Sequence, residues 1–514
     1  MSGKKEFFKS GLTLTAVGLA LRTVGMLFGG FITRSVGAEG IGLYTVIMTV
    51  YSFAITFATS GISLTVTRLV AGAIGEGREG EIGGILRASV LYSLLFGSIA
   101  TAFLFLGSEI LSAFVLSEPR AAAALRVLAP SLVPIALCSV FTGYFVGVKR
   151  VRFNAAAQVL SQLFKIGITF LLVKWFSGGD MADEVLALCL GITVTEVASL
   201  ILVFLEYLVD RRRHGKRGTR GAGRVGEVVG AALPLAISAY FRSVLTAAEH
   251  ILIPRRLMSR GESGSEAYAS YGTLHGMALP IVLYPMAPLT SFSGLLVPEF
   301  AESQAGGGQK RMERVASRAL NATMLYAVAT AVFLFFFSEE LGYAVYGSYE
   351  AGRFVAVLAF IVPIMYLDHV TDGILKGIGE QVYSMWVNIT DALLSVILVY
   401  FLIPPLGIFG YAVVIVVMEG YNFLMSAIRL GKRIKIKISP LEYGLAPALA
   451  ALGSAAVANR LLPTVAGRGF AFWLVMKMVL SLAIFVCLLV AARIILAKRH
   501  ASLDAKMKST SERY

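Results

Sequence analysis

Charge is the scarcest property of this sequence. Asp, Glu, Lys and Arg make up 15% of its 514 residues, against 57% hydrophobic residues, and its mean hydropathy is +0.77. Soluble domains carry about 25% charged residues. The balance therefore excludes a string of soluble domains and indicates a polytopic membrane protein. Strongly polar stretches are equally rare, occurring only around 211–226 and after 498. Cys138, Cys189 and Cys487 are the three cysteines, each in an apolar segment and none in a CxxC pair. That leaves no thiol centre for metal or redox work. There is no GxxxxGK[ST] phosphate loop, which excludes ATP hydrolysis by that route, and no HExxH zinc motif. "DHVTD" (368–372) has the spacing of a metal-binding aspartate pair, but it follows "AFIVPIMYL" inside an apolar run. A metal-dependent sugar transferase is not the reading.

Apolar sequence, in contrast, is abundant in runs of about 20 residues, enough for a helix to cross a bilayer. Fourteen spans are expected, roughly 11–33, 41–72, 84–107, 123–148, 153–176, 184–209, 227–253, 267–297, 315–337, 353–376, 383–403, 406–429, 440–461 and 469–496. The second and eighth exceed one bilayer thickness and should tilt, bend or extend into solvent. Lys4, Lys5 and Lys9 before an apolar run imitate a signal peptide. The run is too long and lacks a small-residue cleavage site, so an uncleaved first helix is expected.

The net charge of +15 lies in short clusters between spans, as the positive-inside rule requires, and not in a nucleic-acid surface. Starting inside, four of the even-numbered gaps are basic. They hold Lys149, Arg150 and Arg152; "RRRHGKRGTRGAGR" (211–224); Lys310, Arg311, Arg314 and Arg318; and "RLGKRIKIK" (429–437). The tail adds Lys498, Arg499, Lys506 and Lys508. "SGGDMADE" (177–184) and "SEELGYAVYGSYEAG" (338–352) are poor in Lys and Arg. One gap, "PRRLMSRGESGSEA" (254–267), puts Arg255, Arg256 and Arg260 on the expected outside. Both termini inside is the best fit.

An internal repeat is visible. "TVTRLVAGAIGEGREGEI" (65–82) and "LLVPEFAESQAGGGQKRMERV" (295–315) end the second and eighth spans in the same way. An offset of six spans gives two halves of equal orientation, as in secondary transporters with a site between repeats. The expected organisation is an N-lobe (1–210), a basic cytoplasmic linker (211–226), a C-lobe (227–437), two further helices (438–497) and a cytoplasmic tail (498–514).

Polar residues recur inside the spans at helical spacing. Gly18, Arg22, Gly25 and Gly29 share one face, although a charge at the bilayer centre costs about 2.5–3.5 kcal/mol on insertion scales. Gly61, Thr65, Arg68 and Gly72 repeat the arrangement, with Arg68 near enough to the cytoplasmic end to snorkel. The seventh span carries Ser238, Arg242, Thr246 and Glu249, then His250. The fifth carries Gln158, Gln162, Lys165 and Thr169, the tenth Asp368, His369 and Asp372, and the eleventh Asn388, Asp391 and Ser395. Arg22 and Arg242, deep in the first spans of the two lobes, are read as functional. For Lys165, Glu196, Asp391 and Glu419, pairing that holds the bundle together is the simpler reading. His250 and His275 stay open between core and site. Pro280, Pro285 and Pro288 predict a kinked eighth helix.

"LRTVGMLFGGFITRSVGAEGIGLYTVIMTVYSF" (21–53), "SGISLTVTRLVAGA" (60–73), "LVPEFAE" (296–302) and "DGILKGIGEQVYSMWVN" (372–388) resemble the stage V sporulation protein B and polysaccharide-biosynthesis family. That family lies in the MOP exporter superfamily, with the MurJ-like lipid II flippases, O-antigen translocases and MATE multidrug transporters. The resemblance extends over essentially the whole chain. It implies an all-α protein of about fourteen transmembrane helices, two six-helix lobes around a V-shaped cavity, in a bacterial cytoplasmic membrane. It also implies a flippase and not an enzyme. The cargo would be an undecaprenyl-pyrophosphate-linked saccharide, a lipid II-like peptidoglycan or polysaccharide precursor, moved from inner to outer leaflet by alternating access.

Arg22-Thr23-Val24-Gly25 matches the Arg-x-x-Gly setting of a cavity arginine in MurJ-like relatives, and Arg34 matches a second arginine at that helix's outer end. A further cavity arginine of those relatives has no counterpart, Phe28 and Gly29 standing near its place. Their acidic residue after the Gly-Ala turn is replaced by the neighbourhood of Leu43 and Tyr44. The resemblance also implies a lipid-tail groove at 440–496.

Guanidinium groups offer forked donors matched to phosphate oxygens. Arg22, Arg34, Arg68 and Arg242 are therefore the expected pyrophosphate ligands, and Glu249, His250, Lys165 and Asp368 the expected coupling or cavity groups. No cofactor or metal is expected; membrane potential, Na+ or H+ would drive the cycle. Expected partners are the lipid-linked saccharide, membrane lipids and cell-wall synthesis enzymes, with no nucleic acid. The alternatives are a MATE-type cation-coupled drug antiporter, which needs an acidic cavity, and a non-transporting scaffold for envelope synthesis.

Overall fold

A bilayer offers no water to backbone N–H and C=O groups, so apolar spans satisfy them within helices. The computed structural model describes residues 2–148, 150–176, 180–213, 225–306, 308–462 and 469–511, and among these there is helix and no strand. Its first helices are α1 (Ser2–Thr59), α2 (Ile62–Gly75), α3 (Ile82–Leu106), α4 (Ala121–Leu128), α5 (Leu132–Gly147), α6 (Val151–Phe176) and α7 (Met181–Arg213). Next come α8 (Val225–Ser259), α9 (Gly264–Tyr271), α10 (Leu279–Leu283), α11 (Ala287–Ala305), α12 (Gln309–Phe336) and α13 (Ser338–Tyr346). The chain ends with α14 (Tyr349–Ala359), α15 (Val362–Gly377), α16 (Gln381–Leu406), α17 (Ile408–Arg433), α18 (Ala446–Leu461) and α19 (Phe470–Ser511). Most of the expected basic linker, residues 214–224, lies outside the described residues, as do 177–179 and 512–514.

Among the described residues, eleven helical stretches are long and apolar enough to cross a membrane, or twelve if α14 and α15, bent by 61°, form one span. The first stretch, Arg22–Gly75, contains parts of two expected spans. They part at Gly37, whose φ of 71° and ψ of −177° suit glycine and strain any residue with a Cβ. The two over-long spans are both broken. The second breaks at Gly61, between α1 and α2. The eighth passes through a π-helical turn at Gly272–Ala278 and a 3-10 turn at Tyr284–Met286. Outward faces are apolar: Leu106 is 77% exposed, Trp175 84% and Phe401 66%, a surface suited to lipid and not to water.

The chain divides into two compact units. The first comprises Met1–Arg22, Met277–Val387 and Ile415–Tyr514; the second comprises Thr23–Gly276 and Asn388–Val414. In the second unit, Ile62, Val66 and Val70 follow each other at i, i+4 and i+8 on α2 and are fully buried against α3 and α5. Thr67 Oγ1 reaches across to the Gly143 carbonyl at 3.0 Å. The far end of α5 is tied to α7, where Asp210 accepts from Tyr144 Oη at 2.7 Å and pairs with Arg150.

In the first unit, α18 and α19 pack on α12 through Ala329, Ala451 and Phe485. Lys477 of α19 is 1% exposed. Its ammonium donates to Asn459 Oδ1 at 2.8 Å and lies 3.6 Å from the Glu340 carboxylate. Removing one partner of a buried pair leaves an uncompensated charge, at about 3–5 kcal/mol. The pair therefore fixes α19 in place.

Candidate transport site

A polar site lies in the second unit, where α8 runs antiparallel to the second half of α1. Ala232 meets Gly61 and Tyr240 Oη donates to the Phe57 carbonyl at 3.0 Å. Further along, Thr45, Met48, Thr49 and Ser52 of α1 face Ser243, Thr246, Ala247 and His250 of α8 across a cavity of about 290 Å³. His275, from the π-helical turn, completes its lining.

Local sequence explains how His275 arrives there. Ser263 and Glu266 form a capping box, the Glu266 amide donating to Ser263 Oγ at 3.2 Å and the Ser263 amide to Glu266 Oε2 at 2.9 Å. This reciprocal cap starts α9. After eight residues the helix widens into the π turn, a feature frequent at functional sites. Pro280 follows directly and has no N–H to continue a regular ladder. On the facing helix Gly42 lets the backbones touch, because a Cβ there would lie 1.8 Å from the Tyr268 carbonyl oxygen.

Two tyrosines orient the two histidines. Tyr271 Oη lies 3.1 Å from His250 Nδ1, and Tyr411 Oη lies 3.2 Å from His275 Nδ1. The imidazoles meet edge to face, with centroids 4.5 Å apart. Glu249, one residue before His250, accepts from Ser395 Oγ of α16 at 2.6 Å. The structure thus brings together Glu249, His250 and His275. The tyrosines were not expected: nothing in an apolar helical run marks which tyrosine will meet a histidine 21 or 136 residues away.

The other expected residues stand apart. Arg68 and Arg242 have exposed side chains and, among the described residues, neither a hydrogen bond nor an ion pair. They lie on opposite sides of the Gly61–Ala232 crossing. Arg34 is exposed and already interacts with a neighbour. Lys165 is half-buried and close enough to Glu196 to act on it electrostatically. In the first unit, exposed Arg22 acts electrostatically on Tyr366 and His369, and half-buried Asp368 precedes that histidine.

The three arginines that break the charge pattern are occupied. Arg255 donates to Ser117 Oγ at 3.2 Å and to the Phe114 carbonyl. Arg256 stacks over Tyr400 at 4.1 Å, and Arg260 reaches the Pro405 carbonyl at 3.5 Å. The same end carries a cluster around Glu39, which accepts from Arg120 at 2.9 Å and from Ser265 Oγ at 2.6 Å. Glu118 holds Arg120 at 2.7 Å and raises its pKa through that hydrogen bond. These arginines fasten loops.

Many membrane-length helices mark a multi-pass membrane protein. A model of the polysaccharide biosynthesis protein family matches residues 7–304, over half the chain, and the chain belongs to that family. A MatE model matches residues 261–401. Stage V sporulation protein B of Bacillus subtilis (strain 168) is 27% identical over 452 residues, 86% of this chain and 87% of that protein. Lipid II flippase MurJ of the same strain is 21% identical over 397 residues, 71% of each chain. A solved MurJ structure in an inward closed conformation has a TM-score of 0.66 at 15% identity, covering 95% of this chain and 99% of that one. An inward-facing MATE family transporter of the MOP superfamily gives 0.67 at 16% identity, covering 81% and 98%. The fold is that of the MOP superfamily.

Proposed function

We propose that this protein carries an undecaprenyl-pyrophosphate-linked saccharide from the inner to the outer leaflet of a bacterial cytoplasmic membrane. The observation that carries this reading is exposed Arg242, without a hydrogen bond or ion pair among the described residues, with Arg68 as a second such arginine at a separate position beyond the Gly61–Ala232 crossing. A membrane helix keeps so costly a residue where it has work to do. A pyrophosphate is the ligand whose forked oxygens and charge match a guanidinium best. Arg22 and Arg34 join them as head-group ligands in this reading. Residues 1–210 and 227–437 act as alternating lobes, and the exposed Leu449, Leu452, Phe472 and Val479 of α18 and α19 suit a lipid tail. Glu249 is the candidate carboxylate for coupling to H+ or Na+, with membrane potential as the other source of energy. Basic loops support a cytoplasmic position for both termini, within reach of cell-wall synthesis enzymes.

Proteoliposomes loaded with a fluorescent lipid-linked disaccharide-peptide test this. Wild type should move the head group across the bilayer. Arg242→Ala and Arg22→Ala should each slow it at least about tenfold, the equivalent of one lost charge-assisted contact. Equal rates for wild type and both variants, at equal protein levels, rule out these arginines as ligands.

The MATE-like fold keeps one second reading in play, an antiporter of cationic drugs, for which Glu249 is the required acid. Efflux of a cationic dye that is lost in Glu249→Gln and unaffected by Arg242→Ala favours it.

A further inference from the structure

We propose that the cavity between α1, α8 and the π turn is the subsite for one uncharged sugar ring of the cargo, a hexose or N-acetylhexosamine. This rests on the flippase reading and adds to it a position for the saccharide. The lining contains no Asp, Glu, Lys or Arg. Its polar atoms are five hydroxyls, from Thr45, Thr49, Ser52, Ser243 and Thr246, and the imidazoles of His250 and His275. They come from regular spacings: i, i+4 and i+7 on α1, and i, i+3 and i+7 on α8. Each helix therefore turns one stripe toward the cavity.

Hydrogen-bond polarity narrows the ligand. Thr45 and Thr49 donate their own protons to the carbonyls of Ile41 and Thr45, at 2.7 and 3.0 Å. The Thr45 oxygen is left to accept from a ligand O–H or N–H, whereas Thr49 already meets the Tyr271 hydroxyl. Each histidine uses Nδ1 on a tyrosine hydroxyl, and its Nε2 remains, as donor or acceptor according to tautomer. Such a wall suits a group that both donates and accepts around its rim. A pyrophosphate donates nothing, and no cation lines the cavity to meet its charge. A drug cation would need a carboxylate, and none lines the cavity. Met48 and Ala247 add the small apolar patch that a ring face or an acetamide methyl occupies.

Size and position agree. At about 30 Å³ per water, 290 Å³ holds roughly ten waters, room for one sugar ring. Arg242 and Thr246 are i, i+4 neighbours on α8. A pyrophosphate held by Arg242 thus presents its first sugar to the next turn, where the hydroxyls begin.

The test compares two probes, undecaprenyl pyrophosphate and undecaprenyl-pyrophosphoryl-N-acetylglucosamine, binding to the full chain in nanodiscs. Wild type should bind the sugar-bearing lipid about tenfold more tightly, as two or so extra hydrogen bonds give. Ser243→Ala/Thr246→Val should abolish that preference while binding the bare lipid as wild type does. Ser52→Ala, on the opposite wall, should lower the preference about threefold, and it decides the matter if the double variant fails to fold. Equal binding of both lipids by wild type, or an unchanged preference in the variants, overturns the subsite and leaves the flippase reading standing. Binding of neither lipid overturns the flippase reading and the subsite with it.

Discussion

Glu380 shows how far a single residue can be read. It lies between α15 and α16, outside the spans, and accepts from Arg429 at 3.0 and 2.7 Å and from Arg433 at 2.7 Å. The Arg429 hydrogen bonds, against a smaller opposing effect of burial and with help from Arg433, hold its pKa below the ordinary 4.5. A carboxyl whose pKa is lower folded than unfolded stabilises the fold above the unfolded value. That contribution disappears as pH falls through the folded value. Glu380→Gln should therefore lower the melting temperature at pH 7 by about 1–2 °C, the modest effect of a partly exposed pair in a large protein. The difference from wild type should shrink below pH 4.5 and close on further acidification. A difference that persists unchanged in acid assigns the effect to packing.

At the scale of elements, the crossing of α1 and α9 is the most demanding contact in the second unit. Overpacking a tight site costs about 1–3 kcal/mol. With the Tyr268 carbonyl 1.8 Å from a Cβ at Gly42, the backbones themselves must separate. Gly42→Val should sharply reduce the yield of folded protein in fluorescence-detected size exclusion. Gly72→Ala, with nothing within 4 Å of the added carbon, should leave it unchanged. Similar loss from both would show a general sensitivity to substitution and no special crossing. This contact also marks where sequence reading stops. Most of the spans, the excess length of the second and the kinked eighth were legible because hydropathy, length and proline act locally. The meeting of Gly42 with Tyr268, or of His275 with Tyr411, depends on which helices become neighbours. Glu39 escaped notice for the same reason, since its partners Arg120 and Ser265 are distant in sequence. Arg22, Arg68 and Arg242 were visible because a charge in an apolar run is conspicuous without knowledge of its neighbours.

For the whole molecule, direction of transport depends on which loops face the cytoplasm, and the 254–267 loop is the point of conflict. Taken by charge alone, Arg255, Arg256 and Arg260 would draw it inside and reverse every later span. The structure gives each of them a partner, Ser117, Tyr400 and Pro405 among them, so their charge serves local fastening. The next loop, around Lys310 and Arg311, is separated from it by one candidate span, Gly264–Gln304, and must lie on the opposite side. The exposed Ser259 and Lys310 are suitable reporters in a variant lacking Cys138, Cys189 and Cys487. Ser259→Cys should react with a membrane-impermeant maleimide on intact cells, and Lys310→Cys only after permeabilisation. The reverse pattern would turn the protein over, placing the basic clusters outside against the positive-inside rule. An inner-to-outer flippase would then have its cargo-facing loops on the wrong side, and the direction proposed above would have to be abandoned.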